Sequence, residues 1–253
     1  MIDSHCHITD KQFARDLAAV IARAKVAGVD RMITIADTLQ EAEKGILLTA
    51  QYPNIFCTAG VHPHAAKDWT VNHLGRLQDM LSRPNVVGVG EIGLDYHYDH
   101  SPRDVQREVF KAQLVIAKEA EMPVVVHCRE AVEDVRAIVD EVKPEKLVIH
   151  CCTEKWADVQ WFVAQGYLLS FTGIATYPKS DLIRETITAC PLEQLMIETD
   201  APYLAPEQYR GKRNEPAYVV DVAKVVAEQK GLSLEDIDRI TTANTVAFFG
   251  LPT

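Results

Sequence analysis

Short, nearly continuous apolar runs alternate along this chain with longer stretches whose apolar residues recur every three or four positions. Val86-Val87-Gly88-Val89 and Val124-Val125-Val126 are runs of the first kind. Parallel strands covered on both faces read this way, because neither side of the strand meets water. Such runs predict strands over Ile2–His5, Arg31–Ala36, Ile55–Val61 and Val86–Glu91. Further strands are expected over Pro123–His127, Lys146–His150, Tyr167–Phe171 and Gln194–Thr199. Amphipathic stretches such as Phe13–Ala27, Val105–Ala120 and Ala131–Val142 predict helices between them. Gly28 follows the first where a C-cap belongs, and Pro123 and Pro144 follow the other two at helix-stop distance. Two more helical stretches, Tyr218–Lys230 and Leu234–Phe249, come after the last strand. Eight strand–helix alternations predict an α/β chain folded as a (β/α)8 TIM barrel, with a doubly wound open sheet as the rival. No Gly/Ser/Pro linker interrupts the pattern, so residues 1–253 are read as a single domain.

Length fits that reading, since 253 residues is the size of one α/β barrel. With 47% apolar and 25% charged residues, the composition excludes disordered and fibrous chains. No apolar stretch reaches the roughly 20 residues that span a bilayer, and the first residues carry neither a basic n-region nor an apolar h-region. A cytoplasmic protein with no membrane association and no obligate protein partner is expected. The 36 acidic residues against 26 basic ones give a charge of -10, which argues against a broad basic surface for nucleic acid. A local grip on a short piece of one, helped by bound cations, stays open. The six cysteines, at 6, 57, 128, 151, 152 and 190, lie mostly in apolar runs and are expected to be reduced, buried and not metal ligands. Cys152 is the one whose strand parity brings it nearest to a ligand, His150.

Histidines and carboxylates collect at the C-terminal ends of the expected strands. His5 and His7 close the first, Glu91 the fourth, His127 the fifth, His150 the sixth and Asp200 the eighth. In a barrel those ends share one face, where barrel enzymes keep their active sites. Side chains two apart on a strand point the same way, so His-Cys-His sends His5 and His7 into the mouth together. The same parity gives Glu198 a supporting place beside Asp200. Four imidazoles and two carboxylates exceed the three or so protein ligands of one catalytic ion. Two divalent cations sharing Glu91 as a bridge account for the surplus. His62 and His64, after the third strand, lie at the same end, with His62 the stronger candidate to face substrate.

These residues sit in segments that resemble the TatD family of metal-dependent hydrolases, among the amidohydrolase-like barrels. The matching segments are Ile-Asp-Ser-His-Cys-His (2–7), Gly-Val-His-Pro-His (60–64), Gly-Glu-Ile-Gly-Leu-Asp-Tyr (90–96) and Val-His-Cys-Arg-Glu-Ala (126–131). Ile-His-Cys (149–151), Glu-Thr-Asp-Ala-Pro-Tyr-Leu (198–204), Arg-Gly-Lys-Arg-Asn-Glu-Pro (210–216) and Ala-Asn-Thr (243–245) follow in family order. The resemblance implies a (β/α)8 barrel with one cation on His5, His7, Glu91 and Asp200 and the other on Glu91, His127 and His150. Ile8-Thr9, Cys152-Thr153-Glu154 and Ala247 depart from the family pattern, and none replaces a ligand.

Two cations can bring a shared water near neutral pKa, and Asp200 is the candidate base that takes its proton. The resemblance implies phosphodiester hydrolysis at DNA or RNA ends, with an acyl or amide hydrolase such as a D-aminoacyl-tRNA deacylase as the alternative on the same scaffold. Arg129 shares the parity of His127 and is a candidate phosphate contact. Arg210, Lys212 and Arg213 offer cations after the eighth strand, and Tyr203 offers a stacking face. Imidazole and carboxylate ligands accept Zn, Mg or Mn, so the metal stays open.

Overall fold

The computed structural model describes residues 1–252. The chain runs through β1 (Ile2–Cys6), α1 (Leu17–Val26), β2 (Arg31–Thr34), α2 (Leu39–Thr49), β3 (Ile55–Ala59) and α3 (Val71–Leu81). It continues through β4 (Val86–Asp95), α4 (Arg103–Glu119), β5 (Val124–Arg129), α5 (Val132–Val142) and β6 (Leu147–Ile149). Next come α6 (Trp156–Ala164), β7 (Leu168–Phe171), α7 (Asp181–Ala189) and β8 (Leu195–Ile197), then α8 (Val219–Lys230) and α9 (Leu234–Phe249). The eight strands form one sheet whose order follows the chain. Cys6 bridges Ala201 just beyond β8, so the sheet returns on itself as the expected (β/α)8 barrel.

Two compact units divide the chain. One holds β1, β2, β7 and β8 with α1 and α6 to α9; the other, Ile35–His150, holds β3 to β6 with α2 to α5. In the second, every residue of β3 is buried, Thr58 included, whose hydroxyl donates to Gly90 O at 2.6 Å. Helix α5 buries Val135, Ile138, Val139 and Val142, one stripe at helical spacing. Each such side chain contributes on the order of 1.5–3 kcal/mol over leaving it in water. Helix α4 buries two polar residues in its stripe as well, Gln106 and Gln113. Their amides hold the backbone of Asp95 and Val61, which matters for the site below. In the first unit, Gly231 and Gly250 end α8 and α9 in the left-handed conformation that a side chain would strain.

Element boundaries depart from the sequence pattern mainly near the functional ends. Strand β4 runs on to Asp95 and β5 to Arg129, whereas β6 stops at Ile149 and β8 at Ile197. Periodicity cannot detect these stops, because Cys151 at φ 44° and Asp200 at φ 55° leave the extended region without any glycine to announce it. Helix α1 starts at Leu17 rather than Phe13. Residues Lys11–Phe13 form a separate 3-10 turn, capped by the Asp10 carboxylate on the Gln12 N–H at 2.7 Å.

Candidate metal centre

In the first unit the site is assembled by β1, β8 and the turns that follow them. The β1–β2 register slips between Asp3 and Cys6, and an extra residue of this kind re-aims the side chains beside it. His5 Nε2 and His7 Nε2 stand 3.1 Å apart. Asp200 Oδ1 lies 3.5 Å from the first and 3.2 Å from the second. Backbone bonds hold the turn: the Asp200 N–H donates to His5 O at 2.9 Å, and the His7 N–H donates to Ala201 O at 2.6 Å. Asp3 is wholly buried and accepts from the Thr199 N–H at 2.9 Å and its hydroxyl at 2.6 Å, locking β1 to the strand end. Burial pushes its carboxyl up to about 8. Glu198 accepts from the Cys151 N–H at 2.7 Å and the Ser170 hydroxyl at 2.6 Å, and its Oε2 lies 4.0 Å from His5 Nδ1.

In the second unit the site is built along β4 and β5. The register shifts between Val89 and Ile92, around the Gly90–Glu91 peptide, which is cis. The glycines are needed for close approach. A Cβ at Gly90 would stand 2.7 Å from Val125 Cβ, and one at Gly93 would stand 2.0 Å from the His127 carbonyl. Glu91, only 2% exposed, is thereby pressed into a ring of imidazoles. Its Oε1 lies 2.7 Å from His150 Nε2, 2.9 Å from His127 Nδ1 and 3.4 Å from His62 Nε2. Burial alone would raise the Glu91 carboxyl, but the facing His150, His62 and His127 more than offset it and hold it well below the usual range.

For His127 and His62 the contacts of both ring nitrogens are set by the fold. His127 Nε2 lies 3.0 Å from Asp95 Oδ2. A carboxylate only accepts, so Nε2 carries a proton toward Asp95, while Nδ1 faces Glu91 Oε1 at 2.9 Å. Burial would lower the ring, but its bonds to Asp95 and Glu91 raise it above the ordinary imidazole range. His62 is the reverse case. Its Nδ1 accepts the His64 N–H at 3.1 Å, and burial keeps the ring below the ordinary imidazole range. A neutral ring with Nδ1 accepting carries its proton on Nε2. His62 is therefore a hydrogen-bond donor at the cluster, although it stands within ligand distance with Glu91 and His127.

Do these residues fit divalent cations? Donors about 2.0–2.2 Å from a tetrahedral ion stand about 3.4 Å from one another. The His5, His7 and Asp200 atoms lie 3.1, 3.2 and 3.5 Å apart. Glu91, His127 and His150 lie 2.7, 2.9 and 3.4 Å apart. Both triads fit, and both are nitrogen–oxygen sets suited to Zn, Mn or Mg. No group able to hold an ion contains a cysteine among the described residues. Among these residues none of the six thiols is in a disulfide, and burial pushes those of Cys57, Cys152 and Cys190 up to about 12.

The sequence candidates for substrate contact part company here. Tyr203 is half exposed and lies edge-on to His7 with ring centroids 6.0 Å apart. Arg210 pairs with Glu207 at 3.3 Å and lies over the Tyr177 ring. Arg213 is committed to Asp16 and Glu215 at 2.7 and 2.9 Å, so its task is to tie the chain together. Lys212 is exposed. Arg129 is exposed, and no carboxylate pairs with it among the described residues. The sequence reading missed Asp95, Gln106 and Gln113. Asp95 shares its side of β4 with Glu91 and lies in the quoted 90–96 segment, so it was findable had the strand been extended. The glutamines carry no such signal. Gln113 brackets Val61 by accepting its N–H at 2.8 Å and donating to its carbonyl at 3.0 Å. Gln106 brackets Asp95 in the same manner at 2.8 and 3.1 Å. A helix pattern reads them as surface polars; only packing reveals that they fix the backbones carrying His62 and Asp95.

Comparison with known proteins agrees with this construction. Residues 2–250 match the family described as TatD related DNase. The uncharacterized metal-dependent hydrolase YabD of Bacillus subtilis (strain 168) is 37% identical over 251 residues, covering 98% of each chain. The 3'-5' ssDNA/RNA exonuclease TatD of Escherichia fergusonii is 36% identical over 259 residues, covering 99% of each. The crystal structure of YjjV, a TatD homolog from Escherichia coli K12, superposes with a TM-score of 0.95 at 29% identity, covering 100% of this chain and 98% of that one. With the family model matching almost the whole chain and relatives at more than a third identity over its full length, this chain belongs to the TatD-related DNase family of metal-dependent hydrolases.

Proposed function

We propose that this enzyme removes nucleotides from the ends of single-stranded DNA or RNA by phosphodiester hydrolysis, with residues 1–253 acting as one catalytic domain. The observation that carries the reading is the pair of nitrogen–oxygen triads, each spaced as the corner atoms of a cation's coordination shell. The named 3'-5' ssDNA/RNA exonucleases at about a third identity supply the substrate class. His5, His7 and Asp200 would hold one cation and His127 and His150 the other, with Glu91 shared between them. The cations, Zn, Mn or Mg, supply Lewis acidity to a water and to the phosphoryl oxygen.

The chain's own groups do the rest. Asp200, whose side chain keeps 14% of its surface exposed, takes the proton of the attacking water. His62 Nε2–H donates to a phosphoryl oxygen, a role its fixed tautomer suits better than ligation. Arg129, with no carboxylate paired to it among the described residues, meets a phosphate, and Tyr203 and Arg210 are further candidates for substrate contact. No described helix is long and apolar enough to cross a membrane. Six thiols without a disulfide among the described residues support a reducing compartment, the cytoplasm. A metal-reconstituted activity screen on single-stranded DNA, RNA and a D-aminoacyl ester, run side by side, tests the reading. Metal-dependent release of mononucleotides is the expected result; turnover of the ester alone would replace it with the deacylase.

A further inference from the structure

The loop 96–101 after β4 carries an exposed aromatic and basic surface that the reaction as described does not use. Tyr98 is 51% exposed and lies parallel to His100, with ring centroids 5.6 Å and planes 4° apart. The Arg129 guanidinium stands 5.0 Å over the Tyr98 centroid. His64 packs edge-on against His100 at 4.5 Å and Tyr98 at 5.6 Å. His64 also joins this surface to the metal cluster. Its Nε2 lies 2.9 Å from Asp95 Oδ2, the same oxygen that holds His127.

The surface is built in advance. The Tyr98 and His97 N–H groups donate to Asp95 Oδ1 at 2.8 and 3.0 Å. The Ser101 hydroxyl donates to His64 O at 3.0 Å and accepts the Lys67 N–H at 3.1 Å. Little ordering cost is left for binding. The charge pattern is selective as well. Asp99 pairs with Arg103 at 2.7 Å, and Glu130 Oε1 lies 2.7 Å from His97 Nδ1. No carboxylate pairs with Arg129 among the described residues, so its guanidinium is available to an anion.

We propose that Tyr98, His100 and Arg129 form a subsite for one unpaired nucleotide, its base against the exposed rings and its phosphate on Arg129. This rests on the nuclease reading above and deepens it. Every base has a π face, so such a platform accepts any sequence, whereas a base stacked within a duplex has no free face to offer. The cation beside the ring adds attraction for both the base and the phosphate.

The test measures kcat and KM of the manganese-loaded enzyme on a dT hexamer and on a hexamer of base-free sugars with the same phosphates. Tyr98→Ala should raise KM on the dT hexamer about tenfold, with kcat within twofold and no change on the base-free strand. Tyr98→Phe, which keeps the ring, should behave as wild type and excludes a folding defect as the cause. Arg129→Gln should raise KM on both strands. The subsite is refuted if Tyr98→Ala leaves KM on the dT hexamer unchanged, or raises it equally on both strands. A wild-type enzyme that cleaves neither hexamer while hydrolysing an aminoacyl ester overturns instead the nuclease reading beneath it.

Discussion

The cluster of His5, His7 and Asp200 forms where β1 and β8 give way to turns, whereas that of Glu91, His127 and His150 is built along β4 and β5. The first gathers two imidazoles around a carboxylate with 14% of its side chain exposed. The second gathers two, with His62 a third beside them, around a carboxylate with 3% exposed. Both contain the same residue types, so chemistry alone does not separate their tasks; surroundings do. Glu91 is enclosed by imidazoles that hold it charged, which suits a permanent ligand. Asp200 sits nearer to solvent on a turn held by backbone bonds, which suits the base proposed for it. The second cluster also has a further carboxylate, Asp95, directly behind His127, which holds the ring in place from its Nε2 side.

Removing the charge at the enclosed cluster should have the largest effect. Glu91→Gln should abolish turnover and lose at least one equivalent of metal while the thermal melt stays cooperative, since the barrel core does not depend on this side chain. Metal content by elemental analysis decides it, and two full equivalents in the variant would refute the shared-ligand role. Asp200→Asn should follow, lowering kcat ~10²–10⁴-fold as loss of a general base does, with KM far less affected. A fall of less than tenfold with both metals bound would assign the base elsewhere.

Asp95→Asn probes the support rather than the ligand. Loss of a carboxylate behind a ligating histidine typically costs about 10–100-fold in metal affinity or activity. Competition with a chelator should show one of two cations released more readily and the other unchanged; equal weakening of both would break the distinction between the clusters. The smallest effect is expected at Arg213→Gln, which should lower the melting temperature by a few degrees and leave KM alone. Its guanidinium lowers the Asp16 carboxyl to about 2, with Arg23 assisting. A carboxyl depressed on folding binds fewer protons in the native state, so its stabilisation is present above pH ~4 and lost as pH falls toward 2. Melting curves across that window should flatten in the variant, and an unchanged acid slope would show that Arg213 does not hold Asp16.

The barrel, and the end of it where histidines and carboxylates gather, were legible in the sequence for a simple reason. Continuous apolar runs are costly anywhere but in covered parallel strands, and His5, His7, Glu91, His127, His150 and Asp200 all sit at or just past the ends of such runs. What the sequence by itself determined is therefore the order of elements, the end of the barrel that bears the chemistry, and the residue types available there. Tertiary structure decided the rest. Whether His62 donates or ligates depends on which atom meets its Nδ1, and that is a backbone N–H placed by the turn at His64. Whether an arginine is a structural tie or a free cation depends on which carboxylate folding brings to it: Asp16 and Glu215 reach Arg213, and none among the described residues reaches Arg129. Strand parity could not place Asp200 either, because a residue at φ 55° has left the strand, and two backbone hydrogen bonds to β1 and its turn set its position instead. Periodicity records which face of an element is buried; partners and tautomers are set by contacts between residues far apart in the chain, and only folding brings those together.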